Sequence, residues 1–143
     1  MPELTEIARV LGVKIATSPP ASGLAYLDLV GHGLPVKSLE RIAHVVAPAD
    51  ASFKYRIVPK ATFARNKASK RLSAAHSVAV SRLASVWSQS VRIWKSEEGA
   101  RDFLYRAHPL LAQRRPIDLV LENEIGARLV EDVLGRLEYG SAV

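Results

Sequence analysis

The sequence predicts an all-α fold, a bundle of short helices. Apolar residues recur at three- and four-residue steps along most of the chain. Valines are frequent, but they fall on that helical spacing rather than in strand-like alternation. Proline, glycine and serine stand at the breaks between periodic stretches, where they stop or start helices. No segment reads as a strand, and no internal repeat or low-complexity tract is present.

Taken in order, residues 3–14 predict a first helix, with Leu4, Ile7, Ala8 and Leu11 on one face and Gly12 near its end. Residues 17–23 are a loop by composition. A second helix runs from Leu24 to Val30 and stops in Gly31-His32-Gly33. Pro35 suits the first turn of a third, where its missing N–H would be unpaired anyway, and Leu39, Ile42, Ala43 and Val46 form its stripe. Pro48 restarts the chain into a short helix to Arg56. Val58-Pro59 is a tight break, and another short helix covers Lys60 to Ala68.

Ser73 is a good N-cap for the longest periodic segment. Val80, Leu83, Ala84, Trp87, Val91 and Trp94 recur on it, and the Trp87/Val91/Trp94 stripe is expected in the core or at a dimer seam. Ser96 caps a helix whose first turn holds Glu97 and Glu98, where the helix dipole favours acids. That helix ends near His108-Pro109. Pro116 opens a short one through Leu121. A last helix carries Leu129, Val130, Val133, Leu134 and Leu137 as its apolar residues, and Gly140 closes it.

The 143 residues and 48% apolar content suit one compact domain, or two small ones sharing a core. There is no cysteine, which excludes disulfides, thiolate metal sites and cysteine nucleophiles. Met1-Pro2-Glu3-Leu4 lacks the pattern of a signal peptide, and no apolar run approaches the ~20 residues that span a bilayer.

Charge is divided along the chain. Between Ala51 and Ser96 there is no Asp or Glu but ten Lys and Arg, whereas the 47 residues that follow hold nine acids against six Arg. An acid-free run of this length predicts a polyanionic partner. Its short helices at 48–56 and 60–68 have the form of a helix-turn-helix, with Val58 as the apolar lock. Ala61, Ala64 and Ala68 are expected to face the first helix, leaving Thr62, Arg65, Asn66 and Ser69 to read base edges. Lys54, Arg56, Lys60, Lys67, Lys70 and Arg71 are expected to hold phosphates. RNA or general anion binding, and a merely solvated face, are the alternatives.

Enzymatic readings have little to stand on. His32, His44, His76 and His108 are scattered, with no pair at metal-ligand spacing, and no triad or nucleophile elbow is legible. The expectation is therefore no catalytic residue, no metal and no cofactor. The two tryptophans with flanking cations would suit a membrane surface, but their helical spacing is explained more simply by a core or dimer seam.

The end of the chain is more specific than its composition. It reads Gly126-Ala127-Arg128-Leu129-Val130, then Leu134-Gly135-Arg136-Leu137-Glu138-Tyr139-Gly140, preceded by Pro116-Ile117-Asp118-Leu119. These blocks resemble the C-terminal toxin-binding domain of the Xre/MbcA/ParS antitoxins. Gly33-Leu34-Pro35, Ala61-Thr62-Phe63-Ala64-Arg65 and Leu72-Ser73 with Arg82-Leu83-Ala84 resemble the same family more loosely, with departures at Asn66, His76, Val78 and Ala79.

The resemblance implies an Xre-like helix-turn-helix over residues 1–72, which binds the operator DNA of its own operon, and a toxin-binding and dimerisation domain over 73–143. Residues 1–25 read equally as a packed or a mobile lead-in. It implies a cytoplasmic homodimer that forms a larger assembly with a cognate RES-domain toxin, an NAD-consuming or NAD-using protein whose cleft the C-terminal segment covers. A cleft for NAD pyrophosphate needs cationic groups. Glu131, Asp132, Glu138 and the carboxylate of Val143 could meet them. Arg136 and Tyr139 are typical interface anchors, and Tyr139-Gly140-Ser141-Ala142-Val143 is slender enough to enter a cleft. A stand-alone helix-turn-helix regulator without a toxin is the alternative.

Overall fold

A computed structural model describes residues 4–15 and 20–140. The expected loop at 17–23 lies partly outside them, as do Ser141, Ala142 and Val143. The described residues form eight α-helices and no extended strand: α1 Leu4–Leu11, α2 Ala21–His32, α3 Val36–Val46, α4 Lys60–Ser69, α5 Ala74–Trp94, α6 Glu97–Tyr105, α7 Pro116–Glu122 and α8 Glu124–Glu138. The all-α expectation holds, and no helix among these residues is long and apolar enough to cross a membrane.

The longest helix, α5, is the spine. Helices α1, α2 and α3 pack on it from one side of the sequence, and α6, α7 and α8 from the other. Its inward positions, Val80, Leu83, Ala84, Val86 and Trp87, are almost fully buried. Trp94, expected in the core or at a dimer seam, is 36% exposed on the single chain and lies stacked on Phe103 at 4.7 Å. Of that stripe, Trp87 is buried in the core and Val91 packs against it partly buried. One apolar cluster runs from Ile7 and Leu11 through Leu39, Phe53 and Leu83 to Val130 and Leu134.

Local chemistry sets the boundaries. Ser73 accepts from the His76 amide and Ser96 from the Gly99 amide, so both expected caps are in place. Helix α1 stops at Leu11 because Gly12 takes φ +68. Helix α2 is longer than expected and ends at Gly33, whose amide bonds back to Leu29 and Val30. Gly33 is required there: its φ is +106, and an added Cβ would collide with the Leu72 carbonyl. That close approach lets Val36 donate to Lys70 at 3.1 Å and Leu72 to Leu34 at 2.8 Å, clamping the exit of α4 to the start of α3.

Three expectations are corrected. The helix foreseen at 48–56 is a single 3₁₀ turn, Phe53–Arg56. Asp50 accepts from the Ser52 amide at 3.0 Å and its hydroxyl at 2.7 Å, and this Asx turn competes with helix formation. Helix α6 ends at Tyr105, and the extended backbone at Arg106 leads to His108, which caps a 3₁₀ turn at Pro109–Leu111. On α8, Leu129 and Leu137 are exposed because Gly126, Ala127, Val130, Val133 and Leu134 fill the narrow face turned to the core.

Candidate functional site

The cationic segment is built around Phe63, the one buried residue of α4. Tyr55 meets Phe63 edge-on at 5.6 Å, and Val58 is fully buried. Lys54 and Lys67 stand 4.7 and 5.5 Å from the Phe63 ring centre, and Lys60 stands 5.8 Å from that of Tyr55. Their stems cover aromatic faces while the ammonium groups stay at the surface. Nothing in the sequence pattern singled out this aromatic pair as the support of the cations.

Because a Phe side chain buries far more apolar surface than an alanine's, it takes the inward position. Ala61, Ala64 and Ala68 therefore face solvent, contrary to expectation, together with Arg65 and Ser69. Thr62 and Asn66 sit half-buried on the flank. Arg65 Nη2 donates to Thr62 Oγ1 at 3.1 Å, which orients the guanidinium, while the Asn66 Oδ1 is shielded from solvent. Lys70 ends α4 in the left-handed conformation, and Arg71 Nη1 donates to the Gly33 carbonyl at 2.8 Å.

Arg56 is engaged elsewhere. Its Nη2 lies 3.0 Å from Asp118 Oδ1 at the start of α7, and Arg115 grips the same carboxylate through two bonds of 2.9 and 3.0 Å. Arg115 first, and Arg56 with it, hold the Asp118 carboxyl below its usual range. A depressed folded pKa gives stability that is present above the unfolded value of about 4 and is lost as pH falls through the folded one. The stability difference between wild type and Asp118→Asn should therefore shrink as pH is lowered below about 4. Urea unfolding at pH 7 and pH 3 checks this, and a pH-independent difference would refute it.

At the other end, α8 sorts the expected partner-binding residues onto different faces. Asp132 and Arg136 are exposed, and Tyr139 is 81% exposed just past the helix end. Gly140 follows with φ +65. Glu138 is held internally: Arg92 of α5 binds both its carboxylate oxygens, at 2.7 and 3.0 Å, and lowers its pKa. Glu131 is half-buried on the opposite flank, where burial and then Asp132 raise its pKa. It lines a groove of about 740 Å³ shared with Tyr26, Leu27, Val78 and Arg82. Tyr26 and Ser81 hydrogen-bond to each other in that groove wall.

Two exposed residues on α8 were missed because the sequence reading assigned or ignored them as packing. Ile125 is 71% and Leu129 48% exposed. Their spacing to Asp132, Arg136 and Tyr139 follows the helix repeat, and that was the available signal. Among the described residues, no group of three His, Asp or Glu side chains is placed to hold a metal.

No curated protein matches the chain. Against known protein families, residues 89–140 match the antitoxin Xre/MbcA/ParS C-terminal toxin-binding domain. The match starts within the last turns of α5 and runs to Gly140, spanning α6, α7, α8 and the exposed helix end. Over residues 89–140 the chain is thus similar to the toxin-binding domain of the Xre/MbcA/ParS antitoxins.

Proposed function

We propose that this chain is the antitoxin of a two-component toxin–antitoxin system. It neutralises a RES-type toxin in the cytoplasm by covering the NAD-binding cleft with its C-terminal segment, and it represses its own operon by binding operator DNA. It acts as a regulatory binding protein, a homodimer that forms a larger assembly with the toxin. The observation that carries this reading is the toxin-binding domain match, which ends on the protruding Tyr139-Gly140. Co-expression with the product of the adjoining gene, followed by pull-down and a growth assay, tests it. A chain that neither binds nor rescues is not an antitoxin for that protein.

The DNA half of the proposal is supported by α4, which projects Arg65 from a face otherwise made of Ala61, Ala64, Ala68 and Ser69. Small side chains allow close approach to a groove floor, with Lys60, Lys67, Lys70 and Arg71 around them for phosphates. Arg65→Ala is expected to weaken specific operator binding by roughly 1–3 kcal/mol, the range for a lost bidentate base contact. Titrations on operator and scrambled duplexes at fixed salt decide it. Equal losses on both would make Arg65 a phosphate contact.

A further inference from the structure

The core-facing side of the matched domain is fully occupied. Ile117, Leu119, Val120, Ala127, Val130, Val133 and Leu134 are all buried. What remains apolar and exposed there is concentrated on α8 and its end: of Trp94, Leu110, Ile125, Leu129, Leu137 and Tyr139, four belong to 125–139. Ile125, Leu129, Asp132, Arg136 and Tyr139 follow one another at steps of four, three, four and three. Such steps keep side chains on one helix face. The result is an exposed ridge about 21 Å long at the helical rise of 1.5 Å per residue. It is apolar at both ends, with one acid and one base between them.

We infer that this ridge, with Ile125 and Leu129 as its apolar anchors, is a docking surface for the toxin. The inference rests on the antitoxin reading and extends it from the chain terminus to the whole outer face of α8. The mode is a helix laid into a groove, in which anchors at helical spacing fill apolar pockets. The toxin then offers an apolar groove, with a base opposite Asp132 and an acid opposite Arg136. Three features favour the toxin as occupant. The ridge lies wholly within the toxin-binding domain, it is continuous with Tyr139 and the chain end, and its flank is fixed by the Arg92–Glu138 pair. That pair makes Glu138 a positioning residue, which holds the end of α8 against α5.

The test uses the full chain and the purified product of the adjoining gene. Ile125→Asp and Leu129→Asp are each expected to weaken binding by at least roughly 30-fold, as for interface hot spots. The milder Ile125→Ser should lose less. Helix content, melting temperature and operator binding should stay at wild-type values, since both side chains point away from the core. If wild type binds and all three variants bind equally well, the ridge is not the docking surface, while the antitoxin reading stands. If the variants change only the oligomeric state by light scattering, the ridge belongs to a second copy of this chain and the inference is overturned. If wild type itself fails to bind, the antitoxin reading falls and takes the ridge with it.

Discussion

Deleting Tyr139 to Val143 is expected to abolish growth rescue from the toxin while leaving operator binding and the melting temperature unchanged. Tyr139 is 81% exposed, and Gly140 after it adopts a left-handed turn outside α8. The last buried side chains of the helix are Val133 and Leu134, and both described residues of the deleted segment, Tyr139 and Gly140, are exposed. Anchoring and blocking are thereby separated. The ridge on α8 should still tether the shortened chain to the toxin, weakly, while the cleft stays open. A truncated chain that rescues growth as well as the full one would show that the chain end has no part in neutralisation.

Gly126→Ala is expected to cause a large loss of stability. Gly126 lies in the first turn of α8, directly against the backbone of α7 at Leu119. An added Cβ would sit 2.8 Å from the Leu119 carbonyl carbon and would collide with its oxygen. The obstacle is backbone, so no side-chain rotation relieves it, and the two helices must separate. Overpacking of this kind costs about 2–3 kcal/mol, the upper part of its usual range. For a chain of this length that lowers the melting temperature by roughly 10 °C. Thermal unfolding followed by circular dichroism measures it. A melt within about 2 °C of wild type would mean that α7 and α8 can slide apart at little cost.

That glycine also shows how far the sequence could be read. The Gly126-Ala127 block marked a family resemblance, but its meaning lies in a carbonyl seven residues earlier in the chain, which no linear pattern displays. The eight α-helices were legible, because caps such as Ser73 and Ser96 and stops such as Gly33 and Gly140 act locally. The segment from Pro48 was misread because its breaker is one side chain, Asp50, which accepts two bonds from Ser52 and is hidden among residues that otherwise tolerate a helix.

Face assignments were harder than helix assignments. Three alanines at helical spacing on α4 looked like a packing stripe until Phe63 was seen to fill the same role alone. Leu129 looked like core until Val130, Val133 and Leu134 were seen to saturate a narrow face. Periodicity specifies that a helix has faces. Which face turns inward depends on the neighbours. The pairing of Arg56 with Asp118 was equally unreadable, because its partners are sixty-two positions apart.

That ion pair joins the cationic end of the molecule to α7, and Arg101 of α6 donates to the Val45 carbonyl of α3 at 2.7 Å across the same boundary. Phe53, Val58 and Phe63 share their apolar cluster with Val130 and Leu134. A chain stitched in this way has a single lifetime. It cannot shed one end and keep gripping a partner with the other, so whatever shelters either end from the cell's proteases prolongs the survival of both.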